Sequence, residues 1–109
     1  MTTGVIVALC TAPGAVAESL AKALVDERLV ACVNVVPGVR SFFRWQGAVD
    51  VADEVLLVIK TTRAQVPALQ RRLPELHPYQ VPELLVFDVA DGLPAYLRWV
   101  VAAAAAPAE

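Results

Sequence analysis

The stretch LVACVNVVPGVRSFFRWQGAVDVADEVLLVIKTT, residues 29–62, contains two long apolar segments joined at Gln46-Gly47. Both segments are rich in Val, Leu, Ile and Phe, which favour strands, so we predict a ribbon that folds back at this dipeptide. Apolar residues occupy consecutive positions, which indicates that both faces of the ribbon are covered. Each arm is about three times the usual strand length of roughly 5–6 residues. One small domain cannot cover such a ribbon, and we expect part of it to pack on another subunit.

The composition describes a single compact domain with little polar surface. The chain has 109 residues, of which 58% are hydrophobic and 18% are charged, and we assign residues 1–109 to one domain. Nine basic and eleven acidic residues leave a net charge of −2, and no basic cluster is longer than Arg71-Arg72. We expect no nucleic-acid partner, because phosphate recognition needs a basic surface.

The N-terminal segment and the cysteine usage predict the cellular compartment. MTTGVIVALC has no basic leader region, and no apolar run reaches the ~18 residues needed to span a bilayer. The two cysteines, Cys10 and Cys32, fit a reducing environment better than a disulfide scaffold. We expect a cytoplasmic protein without a membrane partner.

The order of the apolar patterns predicts an α+β fold of the ferredoxin-like type, β-α-β-β-α-β, with a long hairpin between its second and third strands and an extra C-terminal helix. In this layout the antiparallel sheet has strand order 4-1-3-2, helices cover one face, and the apolar opposite face is open to a neighbouring subunit. A bulge is expected at Pro37-Gly38, because proline cannot donate to the strand ladder. The other predicted elements are a strand at 4–10, a helix at 13–28, a helix opened by a capping box from Thr62 to Gln65, a strand at 84–89, a helix from Pro94 and a frayed tail at 102–109.

This topology brings polar residues from distant parts of the sequence to one edge of the sheet. The first strand ends there, the second helix ends there, and the fourth strand begins there. Cys32 and Lys60 are expected toward the opposite edge, so a Cys10–Cys32 disulfide is not expected. The residues predicted to share the first edge are Cys10, His77, Glu83, Tyr79 and the ribbon tip with Arg44 and Trp45.

Three uses of the Cys10–His77–Glu83 group remain open from the residue types. A thiolate, an imidazole and a carboxylate can form a metal site suited to copper or zinc. Cysteine and histidine can also form a nucleophilic pair, but no oxyanion-hole signature accompanies Cys10, which favours a non-enzymatic protein. Alternatively, Cys10 is a small buried side chain and His77 bonds a helix-terminal carbonyl.

The remaining polar candidates point to a ligand cleft or a subunit interface. Asn34 lies in an apolar strand and needs a hydrogen-bond partner. Lys60 and Arg44 are candidates for holding an anion, and Trp45 for stacking on a ligand or packing at a subunit contact. The residues we assign to a cleft or interface are Asn34, Arg44, Trp45, Lys60, Tyr79 and Glu83.

Five blocks of sequence resemble the CutA family of divalent-cation tolerance proteins. They are ERLVACVNVVPGVRS (27–41), FRWQG (43–47), EVLLVIKTT (54–62), LHPYQVPELLVFDV (76–89) and YLRW (96–99). The similarity extends from VIVALCTAP near the N-terminus to YLRW and therefore covers nearly the whole chain. It implies a ferredoxin-like subunit in a homotrimer whose long ribbons join sheets between subunits.

The resemblance also implies a copper site. The family's cysteine ligand falls on Cys10, and the second of its two histidines falls on His77. Leu76 stands at the position of the first histidine, so one ligand is missing, and Glu83 can replace it by position. Phe43 stands where many relatives have tyrosine, which removes one hydroxyl from the ribbon tip.

Together these features predict a homotrimeric, non-enzymatic protein that responds to divalent cations and binds copper, or another divalent metal such as zinc, through Cys10 and His77. The first alternative is a sensor similar to the PII signalling proteins, which bind small molecules in clefts between subunits. A second alternative is a scaffold trimer that presents a surface to partners.

Overall fold

The computed structural model describes residues 3–105 and contains four strands and three α-helices. No helix in this part of the chain is long and apolar enough to cross a membrane. The elements are β1 (Val5–Ala12), α1 (Gly14–Asp26), β2 (Cys32–Trp45), β3 (Ala48–Thr62), α2 (Val66–Leu76), β4 (Leu85–Asp88) and α3 (Pro94–Ala103).

The four strands form one antiparallel sheet in the order β2-β3-β1-β4. This confirms the predicted α+β architecture, strand order and C-terminal helix. The register between β1 and β3 runs from Val5 opposite Thr62 to Ala12 opposite Val55. Residues of β3 before Val55 therefore pair with β2 alone, and the outer part of the hairpin extends beyond β1 as a two-stranded ribbon.

Two backbone features shape this ribbon, and both were expected from the sequence. Gln46 and Gly47 have φ values of 51° and 83°, the left-handed pair of a tight two-residue hairpin turn. At Pro37-Gly38 the register between β2 and β3 shifts, and Gly38 has a φ of 85°. The extra residues form a bulge. Pro37 has no backbone N–H group, and at the bulge it does not have to donate a hydrogen bond to β3.

Helices α1 and α2 cover one face of the sheet and enclose the main core. Side chains alternate between the faces of a strand, so every second residue of β1 enters this core. Helix α3 packs on the other face, where Val100 and Ala104 contact Val5 and Ala31. The rest of that face is uncovered and carries exposed apolar side chains. The main core contains Ile6, Ala8, Cys10, Ala12, Ala17, Leu20, Leu24, Val30, Leu57, Ile59, Val66, Leu69 and Leu73.

Two local predictions differ from the structure. The capping box at Thr62 does not form; instead a short 3-10 turn precedes α2, and the Gln65 amide donates to the carbonyl oxygens of Arg28 and Ala104 at 3.1 and 2.6 Å. The frayed tail was expected from residue 102, but α3 continues to Ala103 and Ala104 is buried. The contact with Gln65 explains the difference, because it fixes the end of α3. Residues 106–109 of the predicted tail lie outside the described part of the chain.

Candidate functional site

Cys10 lies in β1 on the face covered by helices and is fully buried in the main core. Its Sγ atom lies 3.6 Å from the carbonyl oxygen of Thr11. Burial is the main cause that raises the pKa of Cys10 to about 12, and the nearby charges of Glu83 and Glu54 raise it further. The side chain is therefore a neutral thiol at physiological pH.

His77 follows the last residue of α2 and is buried as well. The proline after it favours an extended backbone at His77, which ends the helix and turns the imidazole toward β1. Nε2 lies 2.8 Å from the Thr11 carbonyl oxygen, and the Tyr79 backbone N–H donates to Nδ1 at 3.1 Å. Because Nδ1 accepts a hydrogen bond, the ring proton is on Nε2, which donates to Thr11. Both ring nitrogens are thus engaged within the protein.

The Thr11 carbonyl oxygen accepts hydrogen bonds from both predicted metal ligands, Cys10 and His77. Both the Cys10 thiol and the His77 Nε2–H group are directed at it. Glu83, half-buried just before β4, lies close enough for its charge to affect Cys10. Within residues 3–105, however, no group of three or more His, Cys, Asp or Glu side chains has the spacing of a metal centre. The structure brings the cysteine and histidine together without a third ligand.

Glu54 is a functional candidate that the sequence reasoning did not identify. It lies in β3 and is only 7% exposed, and its Oε2 atom accepts a hydrogen bond of 2.7 Å from the Tyr79 hydroxyl. The Tyr79 ring also packs against the His77 ring, with centroids 4.7 Å apart. Burial, followed by the bond to Glu54, raises the pKa of Tyr79 to about 12. The one sequence feature that could have identified Glu54 is its position directly before the apolar run 55–59, where burial is expected.

A cleft of about 780 Å³ opens between the ribbon and the segment that precedes β4. The ribbon contributes Phe43 and Trp45, and the connecting segment contributes Tyr79 and Glu83. Phe43 thus forms part of the wall, at the position where the family resemblance places a tyrosine. The full set of lining residues is Thr11, Ser41, Phe42, Phe43, Trp45, Asp50, Ala52, Glu54, Pro78, Tyr79, Gln80, Val81 and Glu83.

The structure separates the remaining predicted site residues from this cleft. Asn34 is exposed on β2 opposite Val58, and Lys60 lies opposite Cys32 near the other end of the sheet. Arg44 points to the ribbon face opposite Trp45, because neighbouring residues of a strand alternate. Both cysteines are free, in agreement with the prediction that they do not pair.

The buried thiol predicts a loss of stability in alkali. An unfolded cysteine ionises at about pH 8.5, whereas Cys10 in the folded chain keeps its proton there. The unfolded state then binds fewer protons, so the free energy of unfolding should fall as the pH rises from about 9 toward 12. The measurement is a series of urea midpoints between about pH 8 and 11 for the parent and for Cys10→Ala. The urea midpoint is expected to depend less steeply on pH in the variant. Equal slopes would show that the Cys10 thiol does not cause the loss of stability in alkali.

The fold and the site define a class of protein: a ferredoxin-like α+β domain with an overlong hairpin, a buried Cys–His pair and a cleft at the base of the ribbon. The sequence profile of the CutA1 divalent ion tolerance protein family matches residues 6–103. The chain belongs to this family, as the sequence blocks predicted.

Similarity to individual relatives supports the same assignment. The divalent-cation tolerance protein CutA of Thermus thermophilus is 50% identical over 95 residues, which cover 86% of this chain and 92% of the relative. The solved structure of the divalent cation tolerance protein (Cut A1) from Thermus thermophilus superposes with a TM-score of 0.86 at 48% identity, covering 90% of this chain and 96% of that one. The PII-like protein CutA from Nostoc sp. PCC 7120 in apo form superposes with a TM-score of 0.86 at 36% identity, covering 92% and 97%.

Proposed function

We propose that the chain assembles as a homotrimer that acts in the response to divalent cations and binds copper through Cys10 and His77. Membership in a divalent ion tolerance family supports the role in cation response. The observation that carries the metal proposal is the convergence of the Cys10 thiol and His77 Nε2 on one carbonyl oxygen. A metal ion that takes the place of the two hydrogen bonds would meet a sulfur and a nitrogen ligand together.

The ligand set favours copper over zinc. A structural zinc site uses four protein ligands, and a catalytic site uses three. The described residues supply two close ligands, with Glu83 as a candidate for a third. Thiolate and imidazole ligands suit both metals, so the preference for copper rests on the number of ligands, which is too small for a zinc site.

Copper binding requires two local changes that can be measured. The Cys10 thiol must release its proton to solvent, and the His77 ring proton must move from Nε2 to Nδ1, which ends the hydrogen bond from the Tyr79 N–H group. Binding is therefore expected to release protons and to strengthen as the pH rises. Repeating the titration in two buffers with different ionisation enthalpies measures the number of protons released.

The direct experiment is anaerobic calorimetry of copper with the purified assembly under reducing conditions. We expect saturable binding near one ion per subunit, lost in Cys10→Ser and in His77→Ala. Cys32→Ser is the matched control, because Cys32 lies away from the pair on β2, and it should bind as the parent does. Parent-like binding in Cys10→Ser, or no binding in the parent, contradicts the proposal.

The trimer proposal is supported by the uncovered face of the sheet. Val36, Leu85 and Phe87 expose apolar side chains on it, and the ribbon adds further apolar surface beyond β1. Soluble chains that expose a contiguous apolar patch of this kind use it for association. The number of three subunits comes from the family resemblance.

A second candidate function, small-molecule sensing, is favoured by the cleft at the base of the ribbon. Its volume of about 780 Å³ lies in the range of small-molecule sites, and aromatic and polar side chains share its walls. One relative of similar fold is described as a PII-like protein. A thermal shift produced by small organic ligands, with none from metal ions, would favour this function over copper binding.

A further inference from the structure

The cleft at the base of the ribbon has an unusual charge balance. Three of its lining residues are carboxylates, Asp50, Glu54 and Glu83, and none is a lysine or arginine. Within residues 3–105, the ion pairs of the protein leave all three without a basic partner. Asp50 accepts a hydrogen bond from the adjacent Val51 N–H group, which orients it without neutralising it. The cleft therefore has a negative potential.

Of the three carboxylates, Glu54 is the one that a bound cation would stabilise most, because it is the most buried. Glu54 is only 7% exposed, and burying a carboxylate costs free energy unless a positive charge accompanies it. Tyr79 donates to Oε2 but is a neutral group, and no other donor among the described residues contacts this carboxylate. The phenol thus holds the carboxylate in one orientation while leaving its charge uncompensated.

Aromatic rings provide the second feature of cation recognition. Phe43 and Trp45 line the ribbon side of the cleft, and Tyr79 lines the opposite side. The face of an aromatic ring attracts an ammonium or guanidinium group, and the attraction is larger where water is partly excluded. Carboxylates and aromatic faces around one cavity recognise the same kind of ligand.

The spacing of the acidic groups favours an organic cation over a metal ion as the ligand of the cleft. The described residues contain no group of three or more acidic, cysteine or histidine side chains close enough to enclose a bare ion. The cleft, at about 780 Å³, instead offers room for an organic molecule whose charged group reaches one carboxylate at a time.

We propose that this cleft binds a small organic cation, an ammonium or guanidinium compound, with its charged group beside Glu54 and its apolar part against the Tyr79 ring. The proposal rests on the sensing function described above and names the ligand class for it. It is independent of the Cys10–His77 pair, since Cys10 lies in the core under the helices and does not line the cleft.

The test uses the purified protein and four probes, three of which share a four-carbon chain and differ in the charge at its ends. 1,4-Diaminobutane and tetraethylammonium are the cationic probes, butane-1,4-diol is the uncharged probe and succinate is the anionic probe. Calorimetry and thermal shift should show saturable binding of the cations, weakened by added salt, and none of the diol or succinate. Equal binding of diamine and diol would overturn the proposal, because charge would then not matter.

Glu54→Gln tests the residue that carries the argument, since glutamine keeps the size and can still accept from Tyr79. We expect diamine binding about tenfold weaker, the loss typical of a hydrogen bond to a charged group. Glu18→Gln, an exposed carboxylate on α1, is the matched control and should bind as the parent does. Glu83→Gln, at a less buried position, tests the cleft again if Glu54→Gln does not fold.

The outcomes separate this proposal from the function on which it rests. Saturable binding of succinate or the diol without the cations keeps the sensing function and overturns the cationic ligand class. No binding of any probe overturns both. If no probe binds and Glu54→Gln changes the oligomeric state, a side chain of a second copy fills the cleft, and the small-molecule proposal is overturned.

Discussion

Replacing Leu57 with alanine is expected to lower the free energy of unfolding by about 2–5 kcal/mol. Leu57 is fully buried in β3, between Cys10 on β1 and Val35 on β2. It belongs to the same core cluster as Leu24 of α1 and Leu69 of α2. Truncation therefore removes apolar burial at the centre of the sheet and leaves a cavity that rigid neighbours on both strands prevent from closing.

The measurement is the denaturant midpoint at a fixed protein concentration, since the proposed association of subunits would contribute to apparent stability. Val25→Ala is the matched control, because Val25 is 42% exposed on α1, away from the ribbon and the uncovered face of the sheet. It should change the free energy of unfolding by less than about 0.5 kcal/mol, as surface substitutions usually do. A Leu57→Ala loss as small as that of the control would show that Leu57 does not anchor the core.

The proposed trimer is expected to dissociate into single subunits when charges are placed on the uncovered face of the sheet. Val36 and Phe87 are 42% and 52% exposed there, on β2 and β4. Lysine at both positions would bury unpaired positive charge in a subunit contact, which costs several kcal/mol for each charge. Light scattering after gel filtration should give roughly a third of the mass of the parent assembly.

Val25→Lys provides the control for this experiment. Val25 is also 42% exposed, but it lies on α1, in the helix layer on the other side of the sheet. The same chemical change there should leave the mass of the assembly unaltered. If Val25→Lys dissociates the assembly and the Val36→Lys, Phe87→Lys variant does not, the subunits associate through the helix layer and the proposed interface is wrong.

Much of the fold could be predicted from local sequence features. The apolar runs on either side of Gln46-Gly47 predicted the ribbon, and the turn has the left-handed φ values that such a dipeptide accommodates. Proline followed by glycine at 37–38 predicted the bulge that the register shift confirms. These features depend on residues close together in the chain, so neighbouring side chains are sufficient to indicate them.

Predictions that depended on side-chain partners were less successful. Gln65 was expected to cap its own helix, yet its amide bonds carbonyl oxygens 37 and 39 residues away in the sequence. Glu54 was missed because it follows the acidic stretch of the ribbon, which suggests solvent exposure more strongly than the next apolar run suggests burial. Cys10, His77 and Glu83 were placed at one edge correctly, but sequence could not show which atoms they contact.

Periodicity, turn residues and the sequence blocks are carried by neighbouring positions, so the order of strands and helices, the overlong hairpin and the family were predictable from them. The shared acceptor of Cys10 and His77, the Thr11 carbonyl oxygen, and the bond between Tyr79 and Glu54 were not, because they arise from packing across the domain. The His77–Thr11 contact joins residues 66 positions apart, and the Tyr79–Glu54 contact joins residues 25 apart. Such contacts depend on strand register and on how α2 ends, which are set by packing of the whole domain.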